Sequence, residues 1–279
     1  MKTILFPLLF IIIFYGCSNK SKNEVNIIFL HHSTGQCIWD GKAYSVDYSI
    51  FDKKNTNKRK SSFSLWIKDY NKSNNKNLHV TDLVFPQQKP YGWNNFPFDY
   101  YNIWVKNAGE KPYKEEPTLE ILTKKYNVII FKHCYPGSNI LGDSAGNIDS
   151  DVKSLANYKL QYNALKDKMR QFPNTKFIIW TLTAQVKNKT TEDEAKRANE
   201  FAKWEKETWD EPNDNIFLWD FRELQTECGL YFKDEFAVSP NDSHPNQDFS
   251  EKVVKLFAQR LVDVIENNGT KTNLKGELL

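Results

Sequence analysis

Two segments far apart in the chain carry side chains that together can do acyl-transfer chemistry. The first is His31-His32-Ser33-Thr34-Gly35, which follows directly on the apolar run Val25 to Leu30. A serine on the turn leaving the carboxyl end of a buried strand lifts its hydroxyl into the crevice there. A helix starting at that point offers free backbone N–H groups to a developing oxyanion. Taken alone, Ser followed by Thr and Gly also reads as an ordinary helix cap. The second segment is Asn241-Asp242-Ser243-His244-Pro245-Asn246, just before the terminal helical pattern. An acid and a histidine on one short loop let the carboxylate hold the imidazole Nδ1–H while Nε2 faces a serine and takes its proton. Ser33 is thus the candidate nucleophile and His244 its base. Asp242 is the expected acid, because a neutral amide at Asn241 cannot balance an imidazolium as a carboxylate does. Asp220, at a strand end, and a dyad supported by backbone or by Asn241 are the alternatives.

With an early serine and a late Asp/His loop, the chain resembles the SGNH/GDSL hydrolase superfamily over Val25 to about Glu266. Gly137-Ser138-Asn139 looks like that superfamily's Gly-x-Asn block, which implies that the Asn139 side chain helps bind the oxyanion together with the Ser33 N–H. Gly92 is a weaker match to the separate oxyanion glycine. His31 and His32 replace the usual Gly-Asp before the serine, and Asn241 occupies the usual acid position three residues before His244. The HHSTG and Asp-Ser-His-Pro segments resemble a bacterial variant of the superfamily. The resemblance implies a three-layer α/β/α fold, no metal or cofactor, and hydrolysis of esters, often acyl groups on carbohydrates. A catalytically silent glycan-binding protein or an acyltransferase on the same fold are the competing expectations.

Other arrangements of the same residues are less economical. His31-x-Ser33-x-Gly35 imitates the nucleophile elbow of α/β-hydrolases, but that elbow normally follows several strands and Ser33 follows the first. A metal site would gather His31, His32, His133 and His244 with Cys37 or Cys134, yet these lack a helical or ribbon-like ligand spacing.

The elements that must position these residues are legible as alternating patterns. Val25 to Leu30, Val128 to Phe131, Phe177 to Leu182, Ile216 to Trp219 and, more weakly, Leu78 to Leu83 read as buried strands. Helical patterns fall at Ser62 to Tyr70, Thr118 to Lys125, Asp151 to Gln171, Glu192 to Trp209 and Phe249 to Glu266. This order predicts an α/β fold, a three-layer α/β/α sandwich on a mainly parallel five-stranded sheet, with ligands beyond the carboxyl ends of the strands. Phe85 to Trp104 is rich in aromatics and prolines and reads as a long loop at that end. Its aromatics either pack under the loop or form a sugar-stacking rim, with His32, Tyr91 and Trp93 as candidate substrate contacts. Lys53 to Lys60 reads as a solvated basic loop.

Met1-Lys2-Thr3 and the apolar run Ile4 to Phe14 read as a secretory signal, too short to span a membrane. Gly16-Cys17 at its end resembles the lipobox of bacterial lipoproteins. The expected organisation is a signal at 1–16, a lipidated Cys17 and tether over 17–24, a hydrolase-like domain over 25–266, and a frayed polar tail at 267–279. Lipidation implies export and anchoring to a bacterial membrane, on the periplasmic side or the cell surface. Of the cysteines left, Cys37, Cys134 and Cys228, either one pair or none forms a disulfide. The 279 residues, 40% hydrophobic and 26% charged, exclude a collagen, a low-complexity polymer and a disordered chain. A net charge of +3 argues against nucleic acid as the main partner and for a small or neutral substrate, which the family resemblance implies is a small ester or an acylated glycan.

Overall fold

The computed structural model describes residues 24–43, 61–142 and 145–279. The signal segment, Cys17 with its tether up to residue 23, and the basic 53–60 stretch lie outside the described residues.

Five parallel strands form the central sheet: β1 (Val25–His31), β2 (Leu78–Val84), β3 (Val128–Phe131), β4 (Lys176–Trp180) and β5 (Ile216–Trp219), in the order β2-β1-β3-β4-β5. Apolar residues run continuously through the inner strands because both faces are covered. Ile28, Leu30, Ile129, Phe131 and Ile179 pack on one face, and Ile27, Phe29, Val128, Ile130 and Ile178 on the other. The register sets Leu30 beside Phe131, so His31 and His32 leave β1 at the same level as the end of β3.

Helices α1 (Ser33–Asp40), α2 (Ser62–Asn74) and α8 (Gln247–Asn267) cover the second face. The first face is covered by α3 (Pro97–Tyr101), α5 (Leu155–Arg170) and α6 (Glu192–Trp204). The short α4 (Leu119–Leu122) and α7 (Phe221–Thr226) fill the crossovers, and a hairpin of β6 (Ala237–Ser239) and β7 (Asp242–Pro245) precedes α8. The result is the expected three-layer α/β/α sandwich. Helix starts are fixed by side-chain caps: Ser61 accepts from Ser64 N at 3.1 Å, and Asn246 from Phe249 N at 2.9 Å. In α8, Phe249, Val253, Val254, Phe257, Leu261 and Val264 recur at helical spacing and are buried. Each such side chain contributes about 1.5–3 kcal/mol by leaving water.

The structure departs from expectation in identifiable places. The long helix starts at Leu155, not Asp151, because Ser154 is its cap and accepts from Asn157 N at 3.3 Å. The helix expected to run to Trp209 changes to π geometry at Glu205–Trp209. The aromatic segment is not one loop. Pro97 opens α3, and the Phe96 N–H donates to Asp99 Oδ2 at 3.2 Å, after which Asn102–Lys106 continues as a π-helix. The tail after Asn267 is docked rather than frayed. Buried Asp263 accepts from Lys271 N and Thr272 N at 3.0 and 2.9 Å, and the Asp220 N–H donates to Leu274 O at 2.8 Å. No disulfide joins Cys37, Cys134 and Cys228 to one another.

Candidate active site

Ser33 is the first residue of α1, one residue beyond the His32 cap that follows β1. The strand-to-helix turn is tight. A Cβ on Gly35 would lie 2.4 Å from His31 Cβ and 2.7 Å from its Cγ, so α1 can sit this close to β1 only with glycine there. His31 itself is buried, with Nδ1 3.0 Å from His32 O and Nε2 3.4 Å from Asp82 Oδ2. As the first residues of a helix, Ser33, Thr34 and Gly35 have backbone N–H groups without intrahelical acceptors, an arrangement suited to an anion.

The partner histidine comes from β7. His244 Nε2 lies 2.8 Å from Ser33 Oγ, and His244 Nδ1 lies 2.6 Å from Asp242 Oδ1. The same carboxylate oxygen accepts from the His244 backbone N–H at 3.0 Å. Because Asp242–Pro245 is extended, residues two apart point to one side, which is why Asp242 and not Asn241 meets the imidazole. Asn241 instead accepts from Asn188 Nδ2 at 3.3 Å at the surface. Asp220 is spent elsewhere: it caps α7 through Glu223 N at 3.2 Å and binds Thr181 Oγ1 and Lys206 Nζ at 2.9 and 2.7 Å. Ser243, between acid and base, is buried and accepts from Val186 N at 3.1 Å, which ties the hairpin to the segment leaving β4. The ring of Tyr135 meets His244 edge to face, 5.1 Å between centroids.

The candidate oxyanion donors fare differently. Asn139 follows a 3-10 turn, Tyr135–Ser138, beyond β3. Its Oδ1 accepts from Gln185 Nε2, which commits the carbonyl end of the amide. Gly92 donates its N–H to Gln88 O at 2.7 Å and has a φ of +91°. Gln185, Ser243 and the packing need at Gly35 were not singled out from the sequence. An isolated Gln or Ser has no distinguishing signal, whereas the glycine two residues after the serine could have been read as a close-approach position.

No family model matches the chain, and no curated protein matches it. Among solved structures, a gut microbial diltiazem-metabolizing enzyme is similar at 11% identity and a TM-score of 0.47, covering 85% of this chain and 46% of that one. The chain thus spans less than half the length of that enzyme. A lipase from a goat rumen metagenome is similar at 13% identity and a TM-score of 0.43, covering 82% of this chain and 95% of the lipase.

Of the candidate substrate contacts, His32 adjoins Ser33 in the chain and Trp93 packs on His32. His32 Nε2 donates to Pro86 O at 2.6 Å, so that nitrogen is committed, and the ring packs on Trp93 at 4.7 Å. Tyr91 lines a cavity of about 180 Å³ with Phe96, Phe98, Asp99 and Asn102, and neither Ser33 nor His244 borders it. Phe85, Phe96, Tyr100 and Trp104 are buried core, so most of the aromatic segment packs rather than stacks on ligand. Burial raises Asp99 to about 6, against the lowering by the Phe96 N–H. Beneath His32, burial pushes the Cys134 thiol up, but the Lys132 ammonium at 3.0 Å and the His32 ring bring it down to about 6. The histidines do not converge. His133 is enclosed by Tyr100, Phe131 and Tyr162, and burial lowers it to about 3. Among the described residues no group of three His, Cys, Asp or Glu side chains is arranged to hold a metal ion.

Proposed function

We propose that the protein is a serine esterase of SGNH type that removes an acyl group from a small ester, such as an acylated glycan. The reading is carried by one observation: Ser33 Oγ, His244 and Asp242 form a continuous hydrogen-bonded chain, 2.8 and 2.6 Å, at the carboxyl end of a parallel sheet. In the proposed reaction His244 Nε2 takes the Ser33 proton as Oγ attacks the acyl carbonyl carbon. The oxyanion is held by the Ser33 N–H and the Asn139 amide, and the Asp242 carboxylate balances the imidazolium. Collapse breaks the bond to the leaving alcohol, which receives the proton from His244. A water activated by the same base then releases the acid and frees the serine. His32, with Trp93 packed on its ring, would contact the alcohol portion. Lipidation of Cys17 would hold the enzyme at a bacterial membrane surface. The test is turnover of an activated acetyl ester: the wild type should release product steadily, and Ser33→Ala should retain less than one part in a thousand. No turnover by folded wild type on any acyl chain length would shift the protein to a silent glycan binder.

A further inference from the structure

The Asn139 amide can act as an oxyanion donor only if its nitrogen end faces the acyl carbonyl. The two ends of an amide are nearly equal in size, and rotation about its terminal torsion is broad and roughly two-fold, so packing alone does not choose between them. A hydrogen bond has to choose.

Both backbones at this point are held firmly. In the turn beyond β3, Cys134 N donates to Asn95 O at 3.1 Å, Tyr158 OH to Gly137 O at 2.8 Å, and Arg197 Nε to Ile140 O at 2.6 Å. The segment leaving β4 is anchored residue by residue. Leu182 N donates to Glu205 Oε2 at 3.1 Å and Thr183 Oγ1 to His133 O at 2.9 Å. Ala184 N donates to Gln225 Oε1 at 2.8 Å, Phe232 N to Gln185 O at 2.8 Å, and Val186 N to Ser243 Oγ at 3.1 Å. Ser138 Oγ joins the two segments by donating to Thr183 O. One strap therefore touches the turn that carries Asn139 and the hairpin that carries His244. The buried Gln185 side chain reaches from it to Asn139, donating Nε2 to Oδ1.

We infer that Gln185 is a positioning residue of the proposed esterase: it holds the Asn139 carbonyl so that only the N–H₂ end meets the developing oxyanion. The inference rests on the esterase reading and adds a residue to it. Without Gln185 the amide is free to present its oxygen, which repels the oxyanion, so the enzyme keeps the donor and loses its orientation.

The test is a double-mutant cycle on an activated acetyl ester. Asn139→Ala should lower kcat about 10²- to 10³-fold, the range for loss of one such donor. Gln185→Met should lower kcat about ten-fold with KM within two-fold, and should cost less than two-fold in the Asn139→Ala background, where no amide remains to orient. A purely structural role would give the same factor in both backgrounds, and that result, or a wild-type kcat in Gln185→Met, overturns the inference while leaving the esterase reading in place. A wild-type kcat in Asn139→Ala removes the oxyanion reading and this inference together. Should Gln185→Met fail to fold, near-isosteric Gln185→Glu, which only accepts, replaces it. Its loss should be at least as large as that expected of Met, and smaller in the Asn139→Ala background.

Discussion

Replacing Asp242 by Asn isolates the charge of the acid from its shape. Asp242 Oδ1 accepts both Nδ1–H and the backbone N–H of His244, at 2.6 and 3.0 Å, and an Asn with its oxygen in that place can keep both bonds. The variant thus preserves the imidazole orientation and removes the counter-charge to the imidazolium of the proposed transition state. Two unit charges about 4 Å apart in a medium of effective dielectric about 20 attract by about 4 kcal/mol. At about 1.4 kcal/mol per decade, that corresponds to a fall of about 10³ in kcat. Fully buried triads lose about 10⁴ on the same change, and the smaller figure suits a carboxylate whose side chain is 27% exposed. The assay is steady-state turnover of an activated acetyl ester by Asp242→Asn, with Asp220→Asn and Asn241→Ala alongside. Asp220→Asn should keep kcat within about three-fold while lowering Tm, because its oxygens cap α7 and bind Lys206. Asn241→Ala should be neutral within two-fold. A fall of less than ten-fold in Asp242→Asn, or a larger one in Asp220→Asn, would refute the assignment.

Other outcomes follow from the packing and the titrating groups. Gly35→Ala places a methyl 2.4 Å from His31 Cβ, and should cost about 1–3 kcal/mol of stability and at least ten-fold in kcat as α1 shifts with Ser33. Burial raises Glu205 to about 8 from an unfolded value near 4.5, so the folded state holds the extra proton between those pH values. Stability from this group is full below about pH 4.5 and is lost as pH rises to about 8, amounting to several kcal/mol. Denaturant curves at pH 5 and pH 9 should show Glu205→Gln losing less than the wild type, and equal losses would contradict this. Intact mass of the membrane fraction should show an acylated N-terminus at Cys17, and Cys17→Ser should release the protein to the soluble fraction.

The sheet was legible because buried parallel strands are continuous apolar runs. Val128 to Phe131 and Ile216 to Trp219 coincide with β3 and β5 to the residue. The three residues of the hydrogen-bonded chain could be named because their chemistry is rare enough to stand out: a serine directly after the first strand, and an acid and a histidine on one segment. What decided between Asp242 and Asn241 was invisible, because Asp-Ser-His-Pro carries no apolar alternation to announce β7, whose two-residue period selects the acid. The docked tail was missed for a related reason. Its polar residues suggest solvent, and nothing in the sequence says that Asp263 and Arg260 of α8 are buried and paired with that tail's backbone. Pro97 opens α3 because proline suits a first helical position, a signal that the surrounding prolines of the aromatic segment obscure.

The central claim is that Ser33 is an activated nucleophile. Folded protein treated with a serine-directed fluorophosphonate, followed by intact mass and peptide mapping, measures this directly. A single adduct on Ser33 in the wild type, lost in His244→Ala while Ser138 and Ser243 stay unmodified, is the predicted result. No adduct on folded protein, or one on another serine, would contradict the account.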